Sequence, residues 1–141
     1  MPLDIISINC RGLKVNKIKR KHIFDTCRNY GISCLQETHI DHNLAPLWKR
    51  EWQGELRYVP GDNNSNSKGQ IILINKDFKY TQIEDVVVSD RIHGITIHTQ
   101  EGIYTIINVY GPNKSKEKKS FFNDLTNTVL ALDDGAEFHT T

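Results

Sequence analysis

Two stretches of the chain are apolar on almost every consecutive position: Ile71–Ile74 reads IILI and Ile103–Val109 reads IYTIINV. Successive side chains of a strand point to opposite faces, so a strand with no polar alternation is buried on both sides. Any fold must therefore place a layer above and a layer below these strands. Amphipathic helices can cover one side. The other side needs a second layer, for which the rest of the chain offers no obvious material. With 141 residues, 38% hydrophobic and 25% charged, the chain has the size and balance of one globular domain.

Leu3–Asn9 (LDIISIN) is apolar and β-branched and predicts a buried strand, broken at Arg11–Gly12–Leu13. Asn16–Tyr30 predicts a helix, with Ile23, Phe24, Cys27 and Tyr30 on the core side and Lys17, Arg20, Lys21 and Arg28 toward water. Gly31 is its stop, and Ile32–Gln36 is a second buried strand. Strand–helix–strand implies a parallel pair with the helix crossing one face. Asn43–Trp52 predicts a helix interrupted early by Pro46, Glu55–Val59 a strand, and 61–68 (GDNNSNSK) a polar loop. After a strand at Gln70–Ile74, the segments Thr81–Val88, Ile92–His98 and Ile103–Tyr110 follow with short turns between them, the pattern of an antiparallel meander. Ser115–Leu132 predicts a helix with Phe121, Phe122, Leu125, Val129 and Leu132 in one stripe, and Asp133–Thr141 shows no periodicity.

Composition removes several classes of function. No apolar run reaches the ~18 residues of a membrane helix, and MPLDIISINC lacks the basic start and long apolar stretch of a secretory signal. Cys10, Cys27 and Cys34 lack Cys-x-x-Cys spacing, which argues against a disulfide framework or a zinc site and for a reducing, intracellular setting, nuclear or cytoplasmic. The net charge is +1, so any affinity for nucleic acid must come from local patches. Lys14–Lys21 and Lys114–Lys119 are such patches, although helix starts of this kind more often form solvated faces. His39 and His42 read as members of a solvated loop, and no histidines have the His-Glu-x-x-His spacing.

Asn9 ends the first strand and Glu37 follows the second. In a parallel pair both lie at the C-terminal edge, where open α/β sheets place their ligands. A carboxylate beside an amide suits a hard cation such as Mg²⁺, which takes one or two protein carboxylates and keeps several waters. Position alone favours a plainer role, two residues that cap turns.

The words around these residues change that balance. SINCRGL (7–13), LQETHI (35–40) and INVYGPN (107–113) resemble three successive signatures of the exonuclease–endonuclease–phosphatase superfamily, and their wording is most similar to the endonuclease domains of LINE-type (non-LTR) retrotransposons. The resemblance covers residues 3–132 and implies a fold of class α/β (α+β), a partial four-layer α/β/β/α sandwich. It implies a mixed sheet with outer helices and a second sheet largely missing. On this resemblance residues 1–132 are the N-terminal part of the domain and 133–141 a divergent tail.

Carried over by motif, Glu37 corresponds to the family's metal-binding glutamate and Asn9 to the asparagine beside the metal. Tyr110 corresponds to a tyrosine that contacts the scissile phosphate, although its position alone suits an aromatic packed on the core. Arg91, in SDRIHGI, resembles a position that approaches the DNA backbone; an exposed turn arginine is the plainer alternative. The implied cofactor is Mg²⁺ (or Mn²⁺), and the implied partner of the complete domain is DNA. Around KGQIILI the family often reads Gly-(small or apolar)-Ala-Ile-Leu; Gly69 matches, whereas Gln70 and Ile71 depart.

The family's later words, Gly-Asp-x-Asn with the water-activating aspartate and Ser-Asp-His with a phosphate-contacting histidine, do not occur in the 141 residues. Asp133, Asp134 and His139 lack the motif context. The chain alone is thus expected to be inactive, to bind metal weakly, and to expose an apolar inner face that drives self-association or capture of a complementary C-terminal fragment. Two other readings stand beside the endonuclease: a non-enzymatic transposon-derived remnant, and a phosphoesterase of the same fold acting on abasic DNA or lipid phosphates.

Overall fold

The computed structural model describes residues 1–61, 68–111, 118, 123–127 and the backbone of 137–140. The first strand β1 (Ile5–Asn9) leads into helix α1 (Lys17–Cys27), strand β2 (Ile32–Gln36), helix α2 (Ala45–Trp52) and strands β3 (Glu55–Val59) and β4 (Gln70–Ile74). Strands β5 (Gln82–Val87), β6 (Ile92–Thr99) and β7 (Gly102–Val109) follow, and β8 (Glu137–Thr140) is last. The start of α1 is set by Asn16, whose side chain accepts from the Lys19 amide at 2.9 Å. Gln53, in the left-handed conformation, ends α2. Among the described residues no helix is long and apolar enough to cross a membrane.

Among the described residues the strands form two four-stranded sheets. The first has the order β1-β2-β4-β3, with β1 and β2 parallel as the strand–helix–strand order predicts. Strand β4 runs antiparallel to both β2 and β3, so the sheet is mixed. The second has the order β5-β6-β7-β8, an antiparallel meander to which β8 adds in parallel beside β7.

The helices α1 and α2 cover the outer face of the first sheet. Leu13, Phe24, Cys27, Trp48 and Trp52 form one core there with Leu35, Leu56, Ile71 and Leu73. The other faces of β2 and β4 present Ile32, Cys34, Ile72 and Ile74 to Ile95, Ile97 and Ile106 of the second sheet. On the far side of that sheet, Ile92 and Ile107 pack with Leu125, a member of the expected helical stripe. Most of the predicted Ser115–Leu132 helix lies outside the described residues, but 123–127 are helical. The layering is therefore the expected α/β/β/α.

Two expectations need correction. The second sheet is not largely missing. Strand β4 inserts between β2 and β3 and completes the first sheet, so the meander forms a sheet of its own, and the apolar inner face expected to lie bare is covered by Ile95, Ile97 and Ile106. Each such side chain removed from water stabilises the fold by ~1.5–3 kcal/mol. Arg20, expected to face water, is 5% exposed. It forms a two-pronged ion pair with Glu51 of α2 at 2.7 and 2.9 Å, and its guanidinium lies 5.1 Å from the centre of the Trp48 ring.

Candidate active site

Asn9 lies directly across from Gln36 in the parallel β1–β2 pair, so Asn9 and Glu37 leave the sheet side by side at its C-terminal edge. The pairing continues beyond the strands. The Cys10 amide donates to Gln36 O at 2.8 Å, Gly12 to Glu37 O at 2.6 Å and Leu13 to Thr38 O at 3.0 Å. The chain bends sharply here: Arg11, Gly12, Glu37 and His39 have φ of +50°, +88°, +51° and +62°. Left-handed backbone at non-glycine residues is costly and persists only where surrounding bonds enforce it. Asn9 is exposed, and its Oδ1 accepts from the Arg11 amide at 3.2 Å. Glu37 is half-buried.

The second sheet brings Tyr110 to the same edge. Its hydroxyl donates a short hydrogen bond to Glu37 Oε1. That bond and partial burial raise the pKa of the phenol, opposed by Arg91 nearby, so Tyr110 stands as a neutral donor. Arg91 comes just before β6. Its carbonyl accepts from the Tyr110 amide at 2.9 Å, its Nη1 donates to Tyr110 O at 3.4 Å, and its guanidinium lies 5.1 Å from the centre of the Tyr110 ring. Of the residues predicted from sequence, Asn9, Glu37 and Tyr110 thus gather at one edge, with Arg91 stacked against Tyr110.

A buried amide pair sets this alignment, and sequence reasoning passed over it. Asn108 of β7 is fully buried between the sheets. Its Nδ2 donates to Leu35 O at 3.0 Å and Ile71 O at 3.1 Å, and its Oδ1 accepts from Gln36 Nε2 at 2.8 Å. Gln36 Nε2 also reaches Ser7 Oγ at 3.0 Å and Cys34 O at 3.1 Å. Gln36 immediately precedes Glu37, and Asn108 lies two residues before Tyr110. The clamp fixes which part of one sheet faces which part of the other. Its only trace in the sequence is a single amide closing each apolar run, Gln36 after ISCL and Asn108 after IYTII.

His39 lies in the loop as expected but is half-buried. Its pKa is lowered chiefly by burial; Glu37 opposes this, and Lys14 and Lys19 reinforce it. His42 is exposed and hydrogen-bonded to Tyr58 Oη at 2.7 Å. Near this edge Lys14 pairs with Asp41 at 3.4 Å and Lys68 with Asp90 at 2.6 Å, while Lys19 Nζ donates to Arg11 O at 3.3 Å. Among the described residues no three His, Cys, Asp or Glu side chains gather as a metal cage. Asp133 and Asp134 and, apart from Lys118, the Lys114–Lys119 patch lie outside the described residues.

Solved structures superpose on this arrangement of two face-to-face sheets, one mixed and one a meander, with helices outside. The catalytic domain of Xenopus laevis APE2 matches with a TM-score of 0.68 and 18% identity over 96% of this chain and 57% of that one. The AP endonuclease LMAP from Leishmania major matches at 0.67 and 13%, over 96% and 53%. The endonuclease domain of TRAS1, a telomere-specific non-LTR retrotransposon, matches at 0.64 and 15%, over 96% and 58%. Among curated proteins, the chain is 26% identical over 136 residues to an uncharacterized 149 kDa protein of transposon TX1 from Xenopus laevis. No family model matches. The chain spans a little over half of these solved structures and 10% of the TX1 protein.

Proposed function

We propose that residues 1–132 are the N-terminal part of a Mg²⁺- or Mn²⁺-dependent DNA endonuclease domain from a retrotransposon-like protein. The observation that carries this reading is the hydrogen bond from Tyr110 to Glu37, which joins the two sheets at the edge where Asn9 also emerges. The similarity to the TX1 protein and to the TRAS1 domain supports the retrotransposon setting.

The side chains fit a hard cation. Glu37 gives one oxygen to Tyr110 and keeps the other for a metal, and Asn9 adds an exposed amide. A bound Mg²⁺ supplies charge neutralisation at a phosphate oxygen. Tyr110, a neutral donor with one hydroxyl proton, would hold that phosphate by turning this proton from Glu37 to a phosphate oxygen. Arg91 stiffens Tyr110 and extends positive charge toward the DNA backbone. Hydrolysis further needs a base to align water opposite the leaving oxygen. The words that supply it in the family are not in these 141 residues, so the partner this reading implies, besides DNA, is a complementary C-terminal segment.

The test is nicking of supercoiled plasmid in Mg²⁺ with Glu37→Ala as control, together with Mn²⁺ broadening in NMR spectra. The chain alone should not nick above the control, and broadening should centre on Glu37 and Asn9. Broadening centred on Asp133 and Asp134 would sink the assignment. Nicking that vanishes in Glu37→Ala would show that the base lies within this chain.

A further inference from the structure

The geometry points to a DNA contact outside the set used above: we propose that the imidazole of His39 donates a hydrogen bond to a phosphate oxygen of the DNA strand lying along the Glu37 edge. This rests on the endonuclease reading and adds a residue to it.

Three features single out His39. Its backbone is left-handed, at φ +62°, in a residue that is not glycine. Such a conformation costs ~1–3 kcal/mol and is held by its surroundings. Here the His39 amide donates to Lys68 O at 3.0 Å and the Thr38 amide to Gly69 O at 2.9 Å, while Leu13 is bonded to Thr38 O on the other side. Three loops therefore converge to fix the backbone that carries this side chain.

The ring also occupies a notch that glycine creates. A Cβ on Gly12 would lie 2.8 Å from His39 Cε1 and 2.9 Å from Nδ1. Gly12 itself has φ +88° and is bonded to Glu37 O, so the imidazole is packed against the loop that follows Asn9. It faces Glu37, Lys14 and Lys19.

Finally, the ring nitrogens make no hydrogen bond to any described residue, whereas His42 is bonded to Tyr58 and His93 to Asp85. A half-buried imidazole, held by strained backbone and with an N–H that no described residue accepts, is placed to receive an acceptor from outside. Lys14, itself paired with Asp41, and Lys19 lie near the ring, and Glu37, the partner of Tyr110, is beside it, so a phosphodiester oxygen reaching this edge is the acceptor that matches.

The experiment uses the 141-residue chain and a fluorescein-labelled 20-base-pair duplex in Mg²⁺, with binding followed by anisotropy. Wild type should bind. His39→Ala should weaken Kd by ~10-fold, the scale of one hydrogen bond to a charged oxygen. His39→Gln keeps an N–H donor and should stay within ~3-fold of wild type. Because a neutral donor releases no counterion, His39→Ala should leave the slope of log Kd against log salt unchanged, whereas Lys14→Ala should lower it by ~1 if Lys14 meets a phosphate. In wild-type protein already saturated with Mg²⁺, imidazole ¹⁵N signals of His39 should shift further on adding duplex. This holds even if a variant fails to fold. Binding with unmoved His39 signals would overturn the proposal and leave the endonuclease reading intact. Equal weakening in His39→Ala and His39→Gln with matching loss of melting temperature would make the residue structural only. Failure of wild type to bind any DNA would bring down both readings.

Discussion

Replacing Asn108 with alanine should cost more than any other single change at the candidate site, although Asn108 touches neither metal nor DNA in the proposed function. The substitution removes three buried hydrogen bonds, to Leu35 O, Ile71 O and Gln36 Nε2. A buried hydrogen bond contributes ~0.5–1.5 kcal/mol net, and an orphaned donor costs a further ~1–3 kcal/mol. Gln36 would not be orphaned, because Ser7 Oγ and Cys34 O still accept from its Nε2. The expected loss is therefore about 2–4 kcal/mol, a large share of the ~5–15 kcal/mol stability of an ordinary domain. Urea unfolding followed by the fluorescence of the buried Trp48 and Trp52 measures it directly. The same variant should loosen the Tyr110–Glu37 bond, because Asn108 and Gln36 adjoin those residues in sequence; the Tyr110 hydroxyl proton should then exchange faster. A loss below ~0.5 kcal/mol, the range of an ordinary surface change, would refute the idea that this clamp holds the sheets in register.

Arg20→Ala should destabilise by about 2–3 kcal/mol in the same assay, below the ~3–5 kcal/mol for breaking a fully buried pair because Glu51 is partly exposed. The pKa of Glu51 is lowered, chiefly by its hydrogen bond from Arg20. Its share of stability is thus present above the usual glutamate pKa and lost as pH falls through the depressed value, and Arg20→Ala should flatten that acid limb. Burial lowers the pKa of His93; the Asp85 hydrogen bond opposes this and Arg57 reinforces it. The unfolded chain then binds the extra proton first, so stability is complete above the ordinary value of 6.5 and declines as pH falls toward the folded value. Melting curves of His93→Gln against pH should lack that decline. Gly54→Ala should lower the melting temperature, since a Cβ there would collide with Ile74 O and lie 2.6 Å from Trp52 Nε1. That crowding threatens the Trp52 Nε1 to Ile74 O bond of 3.0 Å, and forced shifts in a packed core cost ~1–3 kcal/mol.

The features legible in the chain itself were those that depend on neighbours in sequence. The alternation of strand, helix and strand through Gln36 predicted the parallel β1–β2 pair, and the motif words placed Asn9, Glu37 and Tyr110 at strand ends, because a strand end and its outgoing turn are local chemistry. The meander was legible for the same reason, its turns being short. What depended on distant partners was not. Nothing near Gln70–Ile74 indicates that β4 inserts between β2 and β3, and that insertion is what frees the meander to form a second sheet. Glu137–Thr140 has no apolar rhythm, yet it joins the sheet along the open edge of β7. Arg20 looked like a solvent-facing cation until Glu51, thirty-one positions away, came into reach. Asn108 looked like one residue of an apolar strand until the carbonyls of Leu35 and Ile71 met it across the sandwich. His39 looked like loop until Gly12 made room for its ring. Periodicity records which face of an element is buried, whereas hydrogen-bond partners between sheets are settled only when the layers close, because a buried polar group must find its partner wherever the fold brings one.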